Sequence, residues 1–247
     1  MEERSEKDKY FKQQYSEIVM TLPLKIIPVQ EYLKENPKPN QEEVWDSISN
    51  PWKEYRVGKL PIVVKFLKDK KGKIVDLGCG SGRNMIKNKN IEYYGVDFSE
   101  NQIKHAEKYI KQEKINAKLF KSSIDNLPSD LKKEMFDYGL FIATLHCLET
   151  KKQREDALKG FYRILKNSAE ALISVWDSED KRFKGLKGDI YMSWKEDGVP
   201  YMRYYYLYEK QELFDLLEKI GFKILEVYTP KEKDRFSKKN LILRIKK

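Results

Sequence analysis

The sequence predicts an α/β fold built on a doubly wound sheet, and three observations carry that prediction. A β-branched run, Lys73-Ile74-Val75-Asp76-Leu77, feeds directly into Gly78-Cys79-Gly80-Ser81-Gly82, so a buried strand ends in a turn that does not tolerate Cβ atoms. The next apolar run, 91–96, ends on the acid Asp97. Beyond Gly82, stretches of strand length alternate with stretches of helical period, the rhythm of strands joined by crossover helices.

Residues 1–70 read as an N-terminal helical extension packed on the core. Tyr10, Phe11, Tyr15, Ile18 and Val19 recur at helical spacing until Pro23, and Pro28 can start a second helix through Leu33. The stretch 36–40 is a linker, a short helix at 41–48 precedes Asn50-Pro51-Trp52, and 61–67 is an apolar helix. The core domain then runs over 71–247. Ser99 is the expected N-cap of a helix over 100–111 that buries Ile103, Ala106 and Ile110, with His105 near solvent and without a role. A strand is expected at 117–120, a loop at 122–128, the fourth strand at 136–143 and a helix at 151–165. The fifth strand, 171–175, ends at Trp176. The polar, aromatic-spotted segment 177–208 is too long for an ordinary connection and is expected to line the substrate site. A helix over 212–220 stops at Gly221, and 223–228 and 241–245 alternate like two final strands.

A chain of 247 residues is long enough for one large core with an extension. No stretch approaches the roughly eighteen apolar residues of a membrane span, and the lysine-rich, acidic start lacks the apolar centre of a signal peptide. Two cysteines and two histidines make neither a disulfide framework nor a zinc or other metal site, so a cytoplasmic, reducing setting is expected. The formal charge of +10 falls almost wholly beyond Lys70. Dense blocks at Lys65, Lys68, Lys70, Lys71 and Lys73, and over 231–247, favour a polyanionic partner, with plain solubility as the bland alternative.

The spacing G-x-G-x-G differs from that of a nicotinamide site. Asp76, on the strand before the first glycine, would repel a pyrophosphate but suits an ammonium, while Asp97 can accept both hydroxyls of a ribose. S-adenosylmethionine carries both groups. The run resembles the glycine-rich motif of class I S-adenosylmethionine-dependent methyltransferases, which implies their seven-stranded Rossmann-like sheet with an antiparallel last strand. At the end of strand four, methyltransferases acting on exocyclic base amines carry Asn/Asp-Pro-Pro-aromatic. Here the residues are Ile142-Ala143-Thr144-Leu145-His146-Cys147-Leu148, which disfavours that reaction. No cysteine pair suits carbon-5 attack on a pyrimidine either. Transfer to oxygen or to an unhindered nitrogen remains, and a carboxylate needs orientation and desolvation more than a base.

From about Val44 onward the chain resembles the tRNA methyltransferases that esterify the carboxymethyl group of wobble uridine. The matching residues are Val44-Trp45-Asp46-Ser47-Ile48 with Tyr55-Arg56 and Pro61, the run Ile142 to Leu148, Val175-Trp176, Trp194, and Met202-Arg203-Tyr204-Tyr205. The resemblance implies that Asp76 faces the methionine amine and Asp97 the ribose, with Gly78, Cys79, Gly80, Phe98 and Thr144 completing the cofactor site. Ser123 replaces the family's adenine-loop acid, and Ile124 offers its backbone N–H. His146, Arg203 and Arg56 form the expected catalytic set, the arginines clamping a carboxylate or phosphate. Trp176, Trp194, Tyr204 and Tyr205 would contact the substrate, and Lys70, Lys238 and Lys239 its phosphates. The expected partners are the anticodon loop of tRNA and a small zinc-ribbon activator protein. Two other readings remain open: a small-molecule O- or N-methyltransferase, and a non-catalytic RNA-binding protein on a methyltransferase scaffold.

Overall fold

The computed structural model describes residues 25–56, 58–196, 198–228 and 239–247. The helix expected over 10–19 and the phosphate contact Lys238 lie outside those residues. A seven-stranded sheet has the order β4-β3-β2-β5-β6-β10-β9. Its strands are β2 (Gly72–Leu77), β3 (Ile91–Asp97), β4 (Ala117–Lys121), β5 (Phe136–Ile142), β6 (Leu165–Trp176), β9 (Lys223–Tyr228) and β10 (Asn240–Lys246). β2 through β6 pair in parallel, whereas β10 runs antiparallel to both β6 and β9, the antiparallel last strand that the resemblance implies. The order reverses between β2 and β5, and a crevice opens at such a switch point beyond the carboxyl ends of the strands.

Local chemistry places the helices. Ser99 caps α5 (Glu100–Glu113), its hydroxyl accepting from the Gln102 N–H at 3.1 Å. Thr150 and Gln153 form a reciprocal capping box on α6 (Lys151–Ile164). Gly221 closes α7 (Lys210–Ile220) in the left-handed region. β6 starts directly at the end of α6, well before the expected 171, with Ser168 at φ 65° marking an irregular first half. Val75, Leu77, Phe141, Phe161, Ile173 and Leu243 centre one apolar layer, and Val63, Leu67, Ile74, Tyr93, Leu140 and Leu172 the other.

Over the crevice sits a cap. The segment 177–208 is not a loop: it folds into the antiparallel hairpin β7 (Gly188–Glu196) and β8 (Val199–Leu207). The strand β1 (Ile26–Pro28) adds to it through Ile26↔Met192 and Ile27↔Tyr191. Short helices α1 (Val29–Tyr32), α2 (Gln41–Ser47), α3 (Ser49–Tyr55) and α4 (Pro61–Leu67) follow β1 in the chain. The Gln41 amide fastens α2 to β8, donating to the Met202 carbonyl at 3.1 Å and accepting from the Tyr204 N–H at 2.8 Å.

Candidate active site

The crevice, its solvent-open mouth included, spans about 750 Å³. Its core side is built by the turn after β2 and by the ends of β3 and β5. Gly78 has φ +69° and a Cβ there would overlap the Thr144 side chain, whose hydroxyl donates to the Ile142 carbonyl at 3.0 Å. Only glycine meets both demands. Gly80 offers its N–H to Asp97 Oδ2 at 2.8 Å, and the Ser99 N–H holds Oδ1 at 3.0 Å. Both oxygens keep lone pairs for hydroxyl donors. Ala143, at φ 54°, is held in the left-handed region by donating to the backbone and side-chain oxygens of Ser174, a strained residue of the kind that gathers at functional sites.

Asp76 lies fully buried behind this turn, and neither carboxylate oxygen has a hydrogen-bond partner of ordinary geometry. Burial pushes its carboxyl up to about 7, with Asn84 and Arg83 opposing the rise and Asp97 adding to it. Asp97 is raised to about 6, chiefly by burial against the restraint of its backbone donors. A buried orphan carboxylate is costly until a cation meets it. Those two acids, with the glycine turn, fit the ammonium and ribose of S-adenosylmethionine.

The cap side has the opposite sign. Arg203, 3% exposed, is ringed by Trp45, Trp52, Trp194 and Tyr205, with 5.2–6.0 Å from guanidinium to ring centroids. Among the described residues it donates to the Ser193 carbonyl at 3.3 Å, while Nε has no hydrogen-bond partner. The Arg56 guanidinium sits 4.3 Å over Trp52 with its Nε also unpartnered. Burial lowers its pKa. Neither arginine forms a salt bridge among the described residues. The His146 ring is fully buried and packs against Tyr205 (5.5 Å) and Trp176 (5.2 Å), its nitrogens unpartnered. Burial, with Arg56 and Arg182 nearby, holds it down at about 3. Cys147 lines the cavity in its place, its thiol pushed up to about 12 by burial.

The cavity wall gathers Gly78, Cys79, Gly80, Asp97, Phe98, Thr144 and Arg56. Ser123 and Ile124 lie outside it: the Ser123 hydroxyl is bonded to Asp125, and Ile124 belongs to the main core. Tyr204 and Tyr205 cannot stack on one base, because neighbours along β8 point to opposite faces. Tyr205 stacks on Trp176 at 3.8 Å, whereas the Tyr204 hydroxyl is engaged by Arg154 and Asp189 on the far side. Lys70 precedes β2, at the opposite end of the sheet, and pairs with Glu170 at 3.4 Å. Lys239 lies at the site end, its carbonyl accepting from the Asp177 N–H at 3.1 Å. Trp194 packs edge-on against Trp52.

The sequence reading gave no role to Trp45 and Trp52, which wall the cavity, nor to Asp46. Its carboxylate accepts from the Ser99 hydroxyl and the Asn101 N–H, tying α2 to the start of α5. The signal was present, since two tryptophans seven residues apart flank a helix break in a polar stretch.

Residues 74–168 match a family model described as a methyltransferase domain. The tRNA (carboxymethyluridine(34)-5-O)-methyltransferase of Schizosaccharomyces pombe is 29% identical over 74% of this chain and 89% of its own length. Proteins of the same description are 28% identical in Saccharomyces cerevisiae and 31% in Arabidopsis thaliana. There the match spans 62% and 56% of this chain but only 55% and 33% of the relatives. Among solved structures, the Burkholderia thailandensis 1,6-didemethyltoxoflavin-N1-methyltransferase superposes with a TM-score of 0.66 at 16% identity, covering 92% of this chain and 97% of its own. An Aquifex aeolicus SAM-dependent methyltransferase gives 0.58 at 19%, covering 85% and 99%. At these identities the likeness is one of fold.

Proposed function

We propose that this chain, a class I S-adenosylmethionine-dependent methyltransferase, esterifies the carboxylate of a carboxymethylated wobble uridine in cytoplasmic tRNA. The observation that carries the reading is a pair of guanidinium groups, Arg203 buried and Arg56 half-buried, set among aromatic rings and without a salt bridge among the described residues. Such cations are costly unless an anion joins them. Among the described residues the cap also lacks a base poised near neutrality: burial holds His146 down at about 3, pushes Cys147 up to about 12 and raises Tyr205. An alcohol or ammonium acceptor must shed a proton, whereas a carboxylate is already nucleophilic. The names of the yeast and plant relatives support the same acceptor.

Bound S-adenosylmethionine supplies a methyl group activated by its sulfonium. Asp76 would hold the amine and Asp97 the ribose hydroxyls. Arg203 would fix the carboxylate by charge-assisted hydrogen bonds, and the rings of Trp45, Trp52 and Tyr205 would strip its water. His146, neutral and buried, is a positioning residue that holds the Trp176–Tyr205 stack rather than a base. A small zinc-ribbon activator would cover β4, which lies at the outer edge of the sheet.

Incubation of tRNA with the enzyme and deuteromethyl-labelled cofactor, with and without the zinc-ribbon protein, tests this by nucleoside mass spectrometry. An alkali-labile methyl ester on carboxymethyluridine is expected. Label in an alkali-stable position on base or ribose, or only on a small molecule, would overturn the reading.

A further inference from the structure

A second groove, spanning about 970 Å³ with its solvent-open side included, runs between α3 and α5. Lys53, Arg56, Lys59, Arg83 and Lys108 line it, opposed by Glu113 alone. Some lysines elsewhere on the surface are matched by acids: Lys104 meets Glu100, Lys118 meets Glu92, Lys121 meets Glu42, and Lys166 meets Asp137. In the groove, Lys53, Lys59 and Lys108 form no salt bridge among the described residues, although Lys108 lies one helical turn beyond the paired Lys104. Both ring nitrogens of His105, on the same wall, have no hydrogen-bond partner. Arg56, Ser81 and Arg83 line both this groove and the crevice of the active site. Whatever lies along the groove therefore leads to the mouth of the site.

We infer that this groove carries the phosphodiester backbone of the nucleotides next to the target base, its lysines neutralising successive phosphates while Arg56 marks the passage into the crevice. The inference rests on the RNA reading above and assigns it a surface. The lysine block expected from sequence, Lys65 to Lys73, leads to the start of β2, at the opposite end of the sheet from the crevice, and its Lys70 is held by Glu170. The groove's cations come from three segments far apart in the chain, so no run of basic residues announces them.

Binding of a fluorescent, unmodified anticodon stem-loop RNA across a salt series tests the groove without requiring methyl transfer. Each phosphate contact to a flexible strand contributes about 0.7 to the slope of log K against log salt. The K53A/K59A/K108A variant should lower that slope by about two, which amounts to roughly a hundredfold weaker binding at 0.1 M salt relative to 1 M. Calorimetric titration with S-adenosylmethionine should be unchanged, showing the fold intact. K65A/K68A/K71A removes the same formal charge and should leave the slope as in wild type. Equal slopes in wild type and the groove variant, or an equal fall in both variants, would overturn the assignment; so would a wild type whose RNA binding ignores salt. If the acceptor is not a carboxymethyluridine, no ester forms on tRNA, yet the difference between the two variants persists, which separates the two failures.

Discussion

The two walls of the active site solve opposite electrostatic problems with different parts of the chain. The core wall buries the carboxylates of Asp76 and Asp97 at the ends of parallel strands. The cap side buries the guanidinium of Arg203 on an antiparallel hairpin, behind the Trp45 and Trp52 that line the crevice, and holds that of Arg56 half-buried just past α3. Neither side neutralises its own charge, and the two sets do not form ion pairs with each other among the described residues. The crevice is thus polarised, with buried carboxylates on the core side and guanidinium groups among aromatic rings on the cap side. Charge here organises ligands rather than stabilising the fold, since an unpaired buried ion costs free energy.

The contrast can be broken most strongly at the core wall. D76N should weaken S-adenosylmethionine binding about a hundredfold or more, the scale of stranding a buried ammonium, as calorimetry would register. The same variant should melt at a higher temperature than wild type at pH 8 without ligand. The sign follows from linkage: the folded pKa of about 7 lies above the ordinary 3.8, so wild type loses stability as pH rises from about 4 to 7. That advantage should vanish at pH 4. D97A removes charge-assisted acceptors for the ribose and should cost roughly ten- to hundredfold in cofactor affinity, with the melting temperature as a check on the lost Gly80 and Ser99 contacts.

A smaller effect sharpens the comparison. With the Asp76 carboxyl at about 7, cofactor affinity should fall about tenfold from pH 8 to pH 6, because the acid must ionise to receive the amine. D76N should flatten that profile. The smallest expected change belongs to the cap. His146, held at about 3, stays neutral above that value, so single-turnover rates with cofactor saturating should show no histidine inflection between pH 6 and pH 8. An inflection that disappears in H146A would identify it as a base and remove the case for a pre-ionised acceptor.

The core wall was legible in the sequence because its determinants are local. Strand, glycine turn and acid follow within a few residues, and Ser99 and Gly221 punctuate their helices by short-range hydrogen bonds. The cap was not legible as a structure. Its hairpin has too little apolar alternation to announce strands, because β7 and β8 bury aromatic residues on both faces: Tyr205 packs with Trp176, and Tyr204 with Tyr191. Its third strand, β1, comes from more than a hundred and sixty residues away, as the Lys25 N–H bonded to Ser193 shows. The same distance effect explains why Lys70 was misplaced. A dense basic run reveals charge but not which end of a sheet it occupies.

The central claim is that Arg203 positions an anionic acceptor for transfer, and single-turnover kinetics with RNA in excess tests it most directly. R203A should slow methyl transfer by about ten- to a thousandfold, the range of a positioned, charge-assisted contact. The affinity for RNA and its salt slope should stay near wild type. Transfer at the wild-type rate, with weaker RNA binding and a shallower salt slope, would make Arg203 a phosphate contact and contradict the account.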